Sequence, residues 1–479
     1  MNASQIKIFY PELNISGDTN VEVSGIEIDS RKVKAGNIFV AIKGENFDSH
    51  TKIDEALNNG AIGVVTERDV SIPGGNLKIL TDDSRWVYAL LSSLFFDFPS
   101  NKFKLVGITG TSGKTTTGFL LYRFFNVIGI KAGFIGTIGI GHADLFNRSE
   151  TFPLTTPDAF PLNRILSEMV REDIKYVFIE VSSHAIKLKR IAGLKFYKKI
   201  LTTIGEDHLD LHNTFEDYLN TKISFFRNGE SAILNADSLY IERFKNIAKK
   251  HTLYGIERPA DVRGVIISEE LENVNFVIKY KGNEDIINLH MSGMFNVYNF
   301  LAISTFIFEE GYEIGYIKQF AKNIPVVPGR ANLLQRGGKK VFVDFAHNPL
   351  EIENVLKYLR RFTDGKLITV LGAVGFSTEK KKTEMGKAAS IYSDFVIVTT
   401  DDPRGDDPVE IAKGILKGVK GNGKIVLDRR NAIKEGISML NKGDTIAILG
   451  RGDEVEAHYK DKTVYFKDLD AAKEELSEI

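Results

Sequence analysis

The chain has 479 residues, 43% of them hydrophobic and 26% charged, with a formal net charge of −1, which describes a globular protein of about three ordinary domains. That balance argues against a broad nucleic-acid-binding or membrane-binding surface, and the lack of cysteine excludes disulfides, thiolate metal sites and cysteine nucleophiles together. No apolar run is long enough to span a bilayer and "MNASQIKIFYPEL" is no secretion signal, so a cytoplasmic protein is expected, and a monomer.

Up to about residue 102, short strand-like runs ("VEVSGIEI", "NIFVAI", "AIGVVTE") alternate with helix-like stretches such as "KIDEALNNG". The polar "FDFPSNK" reads as a linker. "FKLVGITG" then predicts a buried strand running into a glycine loop, and "TTTGFLLYRFFNVIG" the helix that follows. "KYVFIEVSS" and "KKILTTIG" predict core strands with polar ends, where open parallel sheets place ligand sites. After "IPVVPGR" the alternation restarts with "KKVFVDFAHNP", "KLITVLGAVG", "DFVIVTTDDP", "GKIVLD" and "DTIAILGRG". Helix-like spacers separate these runs, which predicts a second parallel α/β unit. The expected fold is α/β in three domains. A smaller N-terminal α/β domain covers 1–102, a central P-loop domain with a parallel sheet 103–327, and a C-terminal Rossmann-like domain 328–479.

The stretch "GITGTSGKTTTG" departs from the strict phosphate loop G-x-x-x-x-G-K-[ST], because Ile108 stands five places before Gly113. Physically it still works. Gly110 and Gly113 let backbone N–H groups turn inward around phosphate oxygens at the N-terminus of a helix. Lys114 is placed to reach the terminal phosphates and the Thr115 hydroxyl to bind Mg²⁺, with Thr111 and Thr116 beside them. A plain glycine turn is the bland alternative, and strand, G-K-T and apolar helix in the required order argue against it.

"GITGTSGKTT" resembles the loop of the Mur ligase family, G-[IV]-T-G-T-[NS]-G-K-[ST]-[ST], and further stretches agree along nearly the whole chain. "TTPD" (Thr155 to Asp158) resembles the segment that holds the nucleotide-linked acceptor, while "EVSSHA" and "GEDHLDLHNTFEDYLNTK" resemble the magnesium motifs. "GMFNVYN" is similar to the adenine-side helix and "PGR" to the junction into the third domain. "DFAHNP" and "DDPRGDDP" resemble two third-domain signatures. "IDSRKVKAGNIFVAIKGENFDSH" resembles the uridine-binding section of the MurE type, which adds the third residue of the peptide.

The resemblance implies an ATP-dependent ligase that phosphorylates an acceptor carboxylate and lets an amine attack the acyl phosphate. Bringing those anions together calls for Mg²⁺ and cationic side chains. Thr115 and Glu180 are the implied ligands of one ion and His208 of another. Lys222 falls where the family carries a lysine that becomes a carbamate, although most helix lysines are simply solvated. The resemblance further places Asn299 at the adenine, Asp344 at the ribose, Arg330 at the ATP phosphates and His347 near the reacting phosphate. A strand-end turn is the bland reading of Asp344 and His347. Ser30, Thr155, Thr156, Ser182 and Arg190 are the implied contacts to the UDP-linked peptide, and Asp402, Arg404, Gly450 and Glu454 those to the free amino acid.

Several positions depart from the family pattern. Asp402 replaces the Asn of D-N-P-R, Asp453 the His of G-K-G-H-E, and Ser377 an arginine that takes the distal carboxylate of diaminopimelate. Extra acid and a missing arginine favour a cationic side chain such as lysine. Thr203 and Leu188 also depart, which keeps two acceptors in view: a muramoyl peptide, and the UDP-peptide of an archaeal pseudomurein ligase of this type. A catalytically silent Mur-like assembly subunit is a rival from another class, opposed by retention of Lys114, Thr115, Glu180, His208, Lys222 and Arg330. A folylpolyglutamate-type ligase would not need the N-terminal section. The string "NKGD" (Asn441 to Asp444) matches a GTPase motif but precedes a strand instead of following one.

Overall fold

The structure is a computed structural model describing residues 1–44, 47–143, 145–147, 154–205, 212, 214–227 and 231–477. The chain forms two compact units, one from Met1–Gly107 with Ile128–Lys198 and the other from Ile108–Val127 with Lys199–Ile479. No helix among the described residues is long and apolar enough to cross a membrane.

The first unit begins with a five-stranded sheet. Strands Gly25–Glu27, Asn37–Val40, Gly63–Thr66 and Leu77–Leu80 run parallel, and Asn14–Ser16 closes the far edge antiparallel. Each expected strand is present but shorter than its apolar run; of "VEVSGIEI" only Gly25–Glu27 forms a strand, and Glu22 makes an isolated antiparallel bridge with Asn2. Helix Ser84–Phe95, capped by the Asp83 carboxylate, lays Val87, Leu91 and Leu94 on this sheet. The "FDFPSNK" linker is a turn in which Phe98 takes φ 50° and Pro99 opens a short 3-10 helix. Tyr176–Glu180 pairs parallel with Ala132–Gly136, and the chain doubles back antiparallel through Gly139–His142 and Leu145–Asn147. Every residue of Tyr176–Glu180 is buried, as expected of a parallel strand covered on both faces.

The second unit contains the end of strand Lys104–Thr109 and helix Lys114–Val127. Thr202 N donates to Thr109 O at 2.9 Å, so the strand Lys198–Leu201 feeds its polar end under the glycine loop. Ser231–Asn235 and His251–Gly255 continue in parallel. Val262–Glu269, Val274–Tyr280 and Asn283–Leu289 then form an antiparallel meander with one buried and one solvated face. Helix Met294–Glu309 is apolar nearly all round and accordingly buried, with Phe306 set edge-on to Phe125 at 5.9 Å.

Beyond Arg330 a six-stranded sheet has the order Asn332–Arg336, Lys339–Asp344, Thr445–Leu449, Leu367–Leu371, Phe395–Val398 and Gly423–Ile425, parallel except for its first strand. Leu356, Leu359 and Met385 cover one face; Ile433, Ile437 and Ala471 cover the other. All five residues of Thr445–Leu449 are buried, and each large aliphatic there contributes about 1.5–3 kcal/mol. "NKGD" turns helix Arg429–Ser438 into this strand, with Asp444 accepting from Lys366 N and Asn441 N at 2.7 Å each. That carboxylate is a turn element, not a base reader.

Candidate active site

Gly110 and Gly113 have φ +153° and +85°. A Cβ on Gly110 would lie 1.9 Å from Thr202 Oγ1, and one on Gly113 2.3 Å from Asn299 Oδ1. The loop needs glycine there because the chain packs against it from below, as well as for any phosphate above. Thr111 N donates to Thr203 O at 2.6 Å, and Thr111 Oγ1 bonds Gly205 O at 2.9 Å and Tyr218 Oη at 2.7 Å. Thr203, a departure read as bearing on the acceptor, thus lies against the phosphate loop, its hydroxyl 3.3 Å from Ser112 O.

Three cations meet this loop. Lys114 Nζ donates to Gly110 O at 2.9 Å and Thr111 O at 2.7 Å, folded over the carbonyls of its own turn. Lys222 lies in helix Phe215–Ser224 and is 1% exposed. Its Nζ donates to Gly110 O at 3.0 Å and Thr109 Oγ1 at 3.3 Å, and sits 4.9 Å from the Tyr218 ring centroid. A solvated helix lysine it is not. Arg330 stacks on the Phe345 ring at 4.1 Å and extends Nη2 to Thr115 Oγ1 at 3.4 Å. Thr115 and Thr116 are buried in the first turn of the helix.

Asp344 ends its strand with both carboxylate oxygens accepting backbone N–H groups, Ala331 N at 2.7 Å and Ala346 N at 2.8 Å. Burial raises its pKa above the usual carboxylate range against the pull of Arg330. The turn reading of this residue therefore holds, and each oxygen keeps a lone pair for a further donor. His347 Nδ1 lies 3.1 Å from Phe345 O and 3.4 Å from Glu351 Oε2. Asn299 Nδ2 donates to Asn296 Oδ1 at 3.1 Å within the buried helix under the loop. His208 lies outside the described residues.

In the other unit, Glu180 is fully buried at its strand end. Its carboxylate accepts from Thr137 N at 3.0 Å and Thr137 Oγ1 at 3.1 Å, which fixes its orientation. Thr155 Oγ1 lies 3.2 Å from Thr137 Oγ1, and Thr156 Oγ1 donates to Glu180 O at 2.7 Å. Ser182 caps helix Ser183–Lys187 through Ala185 N. Arg190 is ion-paired to Asp158 at 2.7 Å and donates to Thr156 O at 3.2 Å. These two residues line a small pocket with Arg85, Tyr88, Leu188 and Lys189. Burial lowers the Arg190 pKa, opposed by the Asp158 charge. Ser30 is buried in the turn after Gly25–Glu27 and accepts from Asn59 Nδ2 at 3.0 Å through its carbonyl.

At the C-terminal strand ends, Arg404 takes φ 50° and its Nε donates to Asp402 Oδ2 at 2.8 Å. Asp402 Oδ1 accepts from His458 N at 2.6 Å. Asp453 lies 3.5 Å from Arg330 Nη1. Neither acid is therefore an idle partner for an incoming ammonium, which narrows the charge argument drawn from the sequence to Glu454. Burial, with Asp401 nearby, pushes the Glu454 carboxyl up to about 8. Gly450 has φ +115°, and a Cβ there would lie 2.4 Å from Asp401 Oδ2. Ser377 is half-buried, while neighbouring Lys382 is paired with Glu379 on its own helix.

No group of three or more His, Cys, Asp or Glu side chains among the described residues is arranged to hold a metal ion. Thr115 in one unit and Glu180 in the other each carry a hard oxygen of the kind magnesium takes. The Lys222 ammonium, as it stands, does not.

Three family matches run along the chain: "Mur ligase family, catalytic domain" over residues 22–90, "Mur ligase middle domain" over 108–306 and "Mur ligase, glutamate ligase domain" over 329–452. The UDP-N-acetylmuramoyl-L-alanyl-D-glutamate–2,6-diaminopimelate ligase of Clostridium botulinum is 36% identical, with 98% of each chain covered. The enzyme of the same name from Aquifex aeolicus is 37% identical over 95% of this chain and 94% of its own. A solved structure of a ligase with that name superposes at a TM-score of 0.69, with 24% identity over 99% of this chain and 98% of its own. A pseudomurein peptide ligase type C from Methanothermus fervidus shares the fold at a TM-score of 0.59 and 18% identity, over 87% and 92%. A glycine loop closed by lysine and arginine and likenesses of full length lead to one conclusion: the chain belongs to the Mur ligase family, in its MurE-type branch, and is an ATP-dependent ligase that forms peptide bonds.

Proposed function

We propose that the chain adds a diamino acid, lysine foremost, to the terminal carboxylate of a UDP-linked muramoyl dipeptide in the cytoplasm. The observation that carries the chemistry is the convergence of Lys114, Lys222 and Arg330 on one glycine loop. Lys114 and Arg330 stabilise charge developing on the transferred phosphoryl group, the acceptor carboxylate takes that group, and the amine then displaces phosphate through a tetrahedral intermediate. Mg²⁺, when bound, would screen the phosphates and supply Lewis-acid chemistry; the Thr115 hydroxyl and the Glu180 carboxylate are the candidate oxygens for one ion and His208 the candidate ligand of another. Lys222 works as a carbamate, Asn299 meets the adenine, Asp344 the ribose, and His347 stands by the reacting phosphate.

Residues 1–102 hold the uridine end through Ser30, residues 103–327 the ATP, and 328–479 the amino acid. Thr155, Thr156, Ser182 and Arg190 meet the peptide of the acceptor. The muramoyl acceptor is preferred to the pseudomurein one because the relatives matched at 36–37% identity over full length are named for it. Arg404 anchors the α-carboxylate, Gly450 keeps the strand-end loop close, and Glu454 reads the distal ammonium. Asp402, by pairing with Arg404, reduces the positive charge left for a second carboxylate. A matrix of amino acids against UDP-peptides, scored by product mass, tests the reading; no product with any muramoyl dipeptide would overturn it.

A further inference from the structure

One carboxylate joins the phosphate loop to the His347 turn. Glu351 is the third residue of helix Pro349–Arg361, and its N–H donates to the capping Asn348 Oδ1 at 3.0 Å. In a capping box such a glutamate turns back to the N–H of the capping residue itself. Here Oε2 accepts from the residue before the cap, His347 N at 3.2 Å, and lies 3.4 Å from His347 Nδ1. Oε1 accepts from the Ser112 hydroxyl in the phosphate loop. Ser112 is itself held from below, its carbonyl accepting from Thr202 Oγ1 at 2.6 Å. Next to the same helix start, a Cβ on Gly205 would lie 2.5 Å from Leu350 Cδ2, so the backbone beyond Thr203 also packs closely here.

An acid is a poor choice beside a loop that collects phosphates, because its field opposes them. Helix capping alone does not explain the choice either, since Asn348 already caps the helix and the Ser112 bond adds nothing to a cap. What the carboxylate provides is a fixed distance between the loop and the imidazole. Resting on the ligase reading, we propose that Glu351 is a positioning residue for phosphoryl transfer, tying Ser112 of the loop to His347 so that both are in register when the acyl phosphate forms. Such a residue acts on the geometry of the transition state and leaves nucleotide affinity intact or improved.

The test is a double-mutant cycle on the full chain with Glu351→Gln, Ser112→Ala and the pair. Product formation is followed with ATP, UDP-muramoyl dipeptide and lysine, and rates are normalised to ADP sites counted by calorimetry. Glutamine keeps the shape and leaves the Asn348 cap in place, and Ser112→Ala leaves that cap in place as well. Each single change is expected to lower kcat by about tenfold with KM for ATP unchanged or lower, and the pair to lose no more than about twofold beyond the worse single. Losses that multiply, a Glu351→Gln enzyme within about twofold of wild type, or a rise in KM for ATP without a fall in kcat would each overturn the positioning role. Wild-type protein that makes no product overturns the proposed substrates, lysine or the muramoyl acceptor, instead, and the two failures are distinct.

Discussion

Asn299 Oδ1 stands where a side chain on Gly113 would begin, 2.3 Å from an ideal Cβ. The contact joins the last glycine of the phosphate loop to the buried helix Met294–Glu309, and Gly113 also holds φ +85°. Gly113→Ala therefore meets both backbone strain, about 1–3 kcal/mol, and a clash with a side chain bonded to Asn296. The expected result is a lower melting temperature and ADP affinity weakened by more than about tenfold, read by calorimetry. An alanine variant that binds ADP normally would show that the loop yields where the packing says it cannot.

Lys114→Ala should lower ligation turnover by orders of magnitude. Its ammonium lies on Gly110 O and Thr111 O, within the loop that faces the phosphates, so removing it takes a cation from the place where charge develops. Product, not ATP loss, is the quantity to follow. Near-normal product formation would remove the loop lysine from the mechanism.

Much of this was readable in the sequence, because buried parallel strands announce themselves as apolar runs that end in Gly, Asp or His. "DTIAILGRG" became Thr445–Leu449 with Gly450 at its end. An apolar run overstates the strand where it leaves its pairing partner, as at "VEVSGIEI". What a single residue's neighbours do was not readable. Asp402 and Asp453 counted as spare acids in the sequence, and both face arginines in the fold. Glu351, three places after Asn348, has the sequence pattern of helix capping, and its bond to Ser112 comes from 239 positions away. Long-range pairing is invisible to local pattern.

Lys222 is expected to carry a carbamate in the working enzyme, and Lys222→Ala to regain part of its activity with short-chain carboxylic acids. Carbamylation exchanges N–H donors for two anionic oxygens, so the contacts with Gly110 O and the Tyr218 ring must be given up for ones to cations. Mass spectrometry is blind to so labile a group, and a high-resolution map of the ligand-bound protein is the direct view. An ordinary amine there, with a fully active alanine variant, would sink the idea.

Glu454 gives a pH dependence with a definite sign. Its carboxyl lies at about 8 in the folded chain, raised by burial and then by Asp401, with Asp402 and Asp453 adding to the rise and Arg451 opposing it. The folded state keeps a proton that the unfolded chain releases near its ordinary value of 4.5, so this group's contribution to stability falls as pH rises from there toward 8. Glu454→Gln removes that loss, and its melting temperature relative to wild type should climb through this window. A lysine ammonium favours the ionised carboxylate, so KM for lysine should fall as pH rises from about 6.5 to 8 in wild type only. Parallel KM profiles for the two proteins would take Glu454 out of the amino-acid site.

Lysine is expected to be preferred to meso-diaminopimelate, although the matched relatives are named for diaminopimelate. Ser377 offers a hydroxyl where the family pattern has an arginine, and Lys382 is held by Glu379 and does not replace it. Arg404 is paired with Asp402 at 2.8 Å, so one cation already shares its charge before any substrate arrives. A second carboxylate entering such a pocket is desolvated without a full partner, and a difference of about 2.7 kcal/mol amounts to about a hundredfold in discrimination. Comparing kcat/KM for the two amino acids on one UDP-peptide reads the preference directly. Asp402→Asn frees Arg404, and combined with Ser377→Arg it should shift that ratio toward diaminopimelate. A wild-type preference for diaminopimelate, or a double variant with an unmoved ratio, would refute this account of the pocket and leave the ligase assignment standing.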